Sequence, residues 1–87
     1  GGGIGYTAAM PRFYFHVYDD IVALDDEGVE LPDLETVRRE ALKGARELAC
    51  ENLRNGKLNL DHRIEVVDED QRLVLNLPFR SALEIEG

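Results

Sequence analysis

Hydrophobic and polar positions alternate most strictly in RFYFHVY, residues 12–18. Phe13, Phe15 and Val17 share one parity there, while Tyr14, His16 and Tyr18 share the other. Successive side chains of a strand point to opposite faces, so the stretch predicts a strand with one apolar face and one aromatic, hydrogen-bonding face. Asp19 and Asp20 make a polar turn, and IVAL, residues 21–24, returns as a short apolar strand. DDEG, residues 25–28, reads as a loop in which Gly28 is free to take positive φ. Val29 and Leu31 either extend the strand or pin that loop.

The period then changes. Pro32 biases Leu31 to an extended conformation, and Asp33 stands where a helix N-cap belongs. From Leu34 to about Arg54 the pattern is helical, and Asn55-Gly56 supplies the stop. At roughly 100° per residue, Leu34, Val37, Ala41, Ala45 and Leu48 form one stripe, widened by Leu42, Ala49 and Leu53. Ala41, Gly44 and Ala45 are small, so the middle of the helix can approach a sheet closely. A mid-helix glycine costs about 1 kcal/mol against alanine, which points to a packing reason for Gly44.

A second hairpin follows. Ile64 and Val66 alternate with Arg63, Glu65 and Val67, and DEDQ, residues 68–71, is the turn. Leu73, Leu75, Leu77 and Phe79 then alternate with Val74, Asn76 and Pro78. Proline cannot donate to a ladder, so Pro78 marks an edge or a strand end. The expected fold is α+β: a two-layer ββαββ sandwich whose four-stranded antiparallel sheet carries one helix on one face. That face gathers Phe13, Phe15, Val17, Ile64, Val66, Leu73, Leu75 and Leu77.

Length and charge narrow the possibilities. Eighty-seven residues allow one small domain, 44% hydrophobic and 32% charged. GGGIGYTAA, residues 1–9, reads as a cloning remnant or a disordered extension, with the domain spanning 10–87 and native sequence starting at Met10. A net charge of -8 repels phosphate backbones, making nucleic acid a disfavoured partner and a basic protein a suitable one. A single cysteine, Cys50, excludes an internal disulfide framework and a multi-cysteine zinc site, and suits a reducing cytoplasm. No stretch approaches the roughly 18 apolar residues that would cross a bilayer.

Three segments, MPRFYFHVYDD, DDEGVELPDLETVRREAL and RIEVVDEDQRLVLNLPF, resemble an uncharacterised family of short proteins found mainly in alphaproteobacteria. The resemblance runs from Met10 to about Phe79 and implies no activity, cofactor or catalytic residue. Gln71 departs from it, since such hairpins often place glycine after the acidic turn. A more distant likeness, to HicB-type antitoxins, rests on the acidic PDL loop followed by a helix. Those proteins place three strands before the helix, where the pattern here predicts two.

Candidate chemistry is sparse. Cys50 projects away from the apolar stripe, late in the helix, without the N-terminal dipole that would activate it. Ser81 has neither a glycine-rich elbow nor an adjacent base. His16 and His62 are separated and lack a third ligand, and each reads as a surface or edge histidine. The acidic turns do not match a calcium loop: aligning Gly28 with its glycine puts Ala23 at the first ligand position and Leu34 at the twelfth. They read as solvated turns, with a weak divalent site as the alternative. No metal, no cofactor and no catalytic residue is therefore expected, and the chain reads as non-enzymatic.

Two surfaces are candidates for binding. On the helix, Arg39, Lys43 and Arg46 gather on one exposed flank opposite Glu40, Glu47 and Glu51. They form either ordinary i,i+4 pairs, such as Glu35/Arg39 and Lys43/Glu47, or a docking stripe. The better candidate is the sheet face away from the helix, bearing Tyr14, His16, Tyr18, Arg63, Glu65, Val67, Val74, Asn76 and Arg80. Tyrosine and histidine suit surfaces that are sometimes wet and sometimes covered, and also ordinary cross-strand packing. The reading is a small acidic cytoplasmic interaction module that forms a homodimer or docks a protein through this face or a strand edge. The alternative is an antitoxin-like regulator binding a basic toxin or, less in keeping with its charge, single-stranded RNA.

Overall fold

Strand β1, Arg12–Tyr18, is the hub of the sheet because both of its edges are used. The computed structural model describes residues 10–84; the expectation for residues 1–9 lies outside them. On one side β1 pairs antiparallel with β4, Arg63–Val67, from Tyr14 opposite Val67 to Tyr18 opposite Arg63. β4 pairs in turn with β5, Leu73–Pro78, setting Ile64 opposite Leu77 and Val66 opposite Leu75. Pro78 ends β5, as a residue without a donor should.

The other edge of β1 carries two short pieces rather than one strand. β2, Val22–Ala23, pairs with the Tyr18 end, and β3, Val29–Glu30, pairs with the Phe13 end. Between them residues 14–16 of β1 face residues 24–28, so the longer segment has to bulge out as a loop. The sheet path is β2-β1-β4-β5, four strands, with β3 a fifth attached to β1.

Helix α1, Leu34–Arg54, covers one face of this sheet. Asp33 caps it, its Oδ1 accepting from the Thr36 backbone N–H at 2.7 Å and the Thr36 hydroxyl at 2.6 Å. Gly56, at φ 82°, closes the far end, and its N–H donates to the Leu53 carbonyl. Val37, Ala41, Ala45 and Ala49 are buried against Phe13, Ile64, Val66 and Leu77. An alanine every fourth residue lets the backbone sit close, so burial here comes from proximity and from the larger sheet residues. No helix among the described residues is long and apolar enough to cross a membrane.

Three apolar residues expected in the core are outside it. Leu34 and Leu53 are each 58% exposed. A 21-residue helix is about 31 Å long at 1.5 Å per residue, whereas the longest strand, seven residues, spans about 23 Å, so the first and last turns overhang. Leu73 is exposed because a bulge interrupts the β4–β5 ladder. Val66 faces Leu75 while Val67 faces Leu73, which leaves Val74 as the extra residue. Leu73 thereby takes the outward parity of Val67. Val74, expected on the outward face, is half-buried and packs against the core instead.

Phe79 does reach the core, by a different route from continued strand alternation. The chain leaves β5 into a 3₁₀ turn, Phe79–Ala82, and both of those terminal residues are buried. The Phe79 N–H donates to the His62 carbonyl at 2.7 Å, and Arg46 Nε donates to the Ala82 carbonyl at 2.9 Å. The turn is thus fastened to the sheet at one end and to the helix at the other.

Candidate functional site

The outward face of the sheet assembles as the alternation requires. Tyr14, His16 and Tyr18 stand opposite Val67, Glu65 and Arg63, and Glu65 stands opposite Asn76. These side chains are already engaged with one another. The Arg63 guanidinium carbon lies 4.4 Å from the centroid of the Tyr18 ring, and Arg63 Nε donates to Glu65 Oε2 at 2.6 Å. Tyr14 lies against Gly28: a Cβ placed there would be 2.9 Å from Tyr14 Cε2. Tyr14, His16, Tyr18, Arg63 and Glu65 are half-buried, and of the expected face residues Asn76 and Arg80 are exposed.

His16 has a structural task. Its Nδ1 accepts from the backbone N–H of Asp25 at 3.0 Å, which places the proton of the neutral ring on Nε2. Asp25 returns the favour across the same gap. Its Oδ2 accepts from the Phe15 N–H at 3.1 Å, while its Oδ1 accepts from the N–H groups of Glu27 and Gly28 at 3.1 and 3.0 Å. One carboxylate thus replaces the strand carbonyl that the bulged loop withdraws from β1. Burial pushes the Asp25 pKa up, but the amides of Gly28, Phe15 and Glu27 outweigh it and hold the carboxyl below its ordinary value. This acidic turn is built into the fold rather than being mere solvated punctuation.

Gly28 completes the knot. It takes φ 72°, and a Cβ there would come within 2.9 Å of both the Phe13 carbonyl oxygen and Arg12 Cγ. Arg12 lies across the loop, donating to the Glu27 carbonyl at 2.9 Å and pairing with Glu30 at 3.3 Å.

With loop 24–28 fixed in this way, the edge beside it carries the two most exposed large apolar side chains among the described residues. Ile21 is 76% exposed and Leu24 65%, with Val22, Val29 and Leu34 also exposed. The preceding turn is anchored twice. Asp19 Oδ1 accepts from the Ile21 N–H at 2.9 Å, and Asp20 Oδ1 lies 3.4 Å from His62 Nε2. His62 is not a surface histidine: its side chain is 13% exposed, its ring meets Phe79 edge-on at 5.8 Å, and its Nδ1 is buried without a hydrogen bond among the described residues. Sequence reasoning treated residues 21–24 only as a strand. Their unbroken apolar run was the available signal, because a two-residue edge strand has nothing to cover both of its faces.

Among the described residues the helix flank forms no ion pair. Arg39, Lys43 and Arg46 are exposed; Arg46 is committed to the Ala82 carbonyl, and Arg39 reaches the Thr36 hydroxyl at 3.4 Å. The expected Glu35/Arg39 and Lys43/Glu47 pairs are absent from the ion pairs of the described residues, which join Arg12, Arg63, Arg72 and Arg80 to carboxylates. Cys50 is exposed, with Arg54 Nη2 at 3.9 Å from its sulfur. Among the described residues no three His, Cys, Asp or Glu side chains converge to hold a metal ion.

Residues 12–80, from the first residue of β1 into the 3₁₀ turn, match the model of a domain of unknown function, DUF6894. No curated protein and no solved structure matches the chain.

Proposed function

Since the chain belongs to the DUF6894 family, whose description carries no activity, we propose from its geometry that it is a non-enzymatic protein-interaction module docking a partner along the β2–β3 edge. One observation carries the proposal. Of the eight large apolar side chains exposed among the described residues, five (Ile21, Val22, Leu24, Val29 and Leu34) stand in one short segment. Scattered exposed leucines need no explanation, but a run of them rimmed by charge is how a docking surface is written. The outward face fits the role less well, because Tyr14, Tyr18, Arg63 and Glu65 are held by their neighbours.

Stacking of single-stranded RNA draws no support from that face, since Tyr18 already lies under Arg63. A basic toxin would be one instance of the partner proposed. The exposed free thiol of Cys50 suits a reducing, cytoplasmic setting, which belongs to the same proposal.

The test is selection from a displayed library of random peptides, followed by binding to variants. Binders should lose affinity for the double variant Ile21→Ser, Leu24→Ser, both exposed positions where the fold has little to lose. Binders that ignore those changes and instead lose affinity for Tyr18→Ala or Asn76→Ala would overturn the assignment.

A further inference from the structure

Building on that docking edge, we infer that its occupant is an extended segment of a cationic protein, laid beside β2 as an added strand with apolar residues at its centre and Lys or Arg at both ends. The charge of the chain is not spread over it. Asp19, Asp20, Asp25, Asp26, Glu27, Glu30, Asp33 and Glu35 lie within residues 19–35, and no Lys or Arg does. Elsewhere ten acidic residues balance ten basic ones, so this one segment accounts for the whole net charge of -8. The same segment presents Ile21, Val22, Leu24 and Val29.

The structure sorts these carboxylates by availability. Asp25 is consumed by three backbone amides, Asp33 by the helix cap, Asp20 by His62 and Glu30 by Arg12. Asp26, Glu27 and Glu35 have no ion pair among the described residues, and Asp19 makes only its turn hydrogen bond to Ile21. The apolar window at 21–24 is therefore bracketed by open acids, Asp19 before it and Asp26 and Glu27 after it.

β2 is the terminal strand of the sheet path, and among the described residues nothing pairs its outer side. A bare sheet edge is what an extended peptide adds to, with backbone hydrogen bonds giving affinity and side chains giving specificity. Charge selects among occupants. A second copy of this chain would set the same acidic segment against itself, and like charges across a strand pair repel. A cationic segment has the opposite sign over the whole length of the edge.

Fluorescence anisotropy with the intact chain tests this, using a short labelled peptide with valines at its centre and lysines at both ends. A valine/threonine peptide and a glycine/lysine peptide of equal length serve as comparators. The valine/lysine peptide should bind about tenfold or more tighter than either, and both Asp26→Asn with Glu27→Gln and Ile21→Ser with Leu24→Ser should weaken it by about tenfold. Equal binding of valine/threonine overturns the cationic occupant while leaving the edge intact. Equal binding of glycine/lysine, or no binding at all, overturns strand addition, and the library selection then judges the edge separately. Light scattering that shows a dimer dissolved by Ile21→Ser with Leu24→Ser would make the occupant a second copy and likewise overturn the inference.

Discussion

His16 and Asp25 hold each other by crossed hydrogen bonding: the Asp25 N–H donates to His16 Nδ1 at 3.0 Å, and the Asp25 carboxylate accepts from the N–H of Phe15, the neighbour of His16, at 3.1 Å. The pair welds the bulged loop onto β1 and so sets where the apolar run 21–24 ends. Replacing Asp25 by alanine strands the Phe15, Glu27 and Gly28 amides, at a cost of about 1–3 kcal/mol. Urea denaturation of Asp25→Ala should show that loss; a change within error would mean that the loop is held by something else.

Acid should expose the same linkage. Burial opposes the charged form of Asp25, but the Gly28, Phe15 and Glu27 amides prevail, so its folded pKa lies below its ordinary value. Asp33 shifts in the same direction, through the Thr36 hydroxyl first and the Thr36 amide next. A carboxyl depressed by folding contributes stability that is fully present above its unfolded pKa, about 3.9, and disappears as pH falls through the folded value. Asp25→Asn should therefore be less stable than the parent at neutral pH and lose stability less steeply below about pH 4. Parallel acid limbs for the two proteins would contradict this.

Gly28 and Gly56 separate strain from space. Both sit at positive φ, 72° and 82°, but a Cβ at Gly28 meets the Phe13 carbonyl and Tyr14 at 2.9 Å, whereas one at Gly56 meets nothing within 4 Å. Gly56→Ala should cost about 1 kcal/mol, from the left-handed conformation alone. Gly28→Ala should cost clearly more, about 2–3 kcal/mol, with the added clash. Equal losses in thermal or chemical denaturation would remove the steric part of the argument.

Two substitutions should stabilise. A Cβ at Gly44 would meet Ile64 Cδ1 at 3.4 Å, close to ordinary contact with the end of a flexible side chain. Gly44→Ala should therefore raise stability by about 0.5–1 kcal/mol through helix propensity. Gln71 takes φ 66° in the β4–β5 turn, so Gln71→Gly should relieve about 1 kcal/mol of strain. A lower melting temperature for either variant would contradict the corresponding account.

Much of this fold could be read from alternation and capping, and the errors share a cause. RFYFHVY, the Asp33 cap, the helix ending at Arg54 and the Pro78 strand end are local signals, each set by a residue and its near neighbours. Leu73 and Val74 were misplaced because a bulge reverses parity, and nothing in LVLNLP announces one. Leu34 and Leu53 fit the helical stripe but lie past the cover the sheet provides. The resemblance to a domain of unknown function agrees with the family match over residues 12–80. The helix flank of Arg39, Lys43 and Arg46 and the outward face were chosen from residue type. Their availability depends on tertiary partners such as Arg63 over Tyr18, which single-strand patterns do not reveal. Equally, the apolar run at 21–24 becomes a candidate surface only once β2 is seen to be terminal.

The most direct measurement is an amide chemical-shift titration of the chain with the valine/lysine peptide. Docking along the edge predicts shifts concentrated at residues 19–24 and 26–30, with Tyr18, Arg63, Glu65 and Asn76 changing far less. Shifts centred on those outward-face residues, with residues 21–24 unmoved, would contradict it.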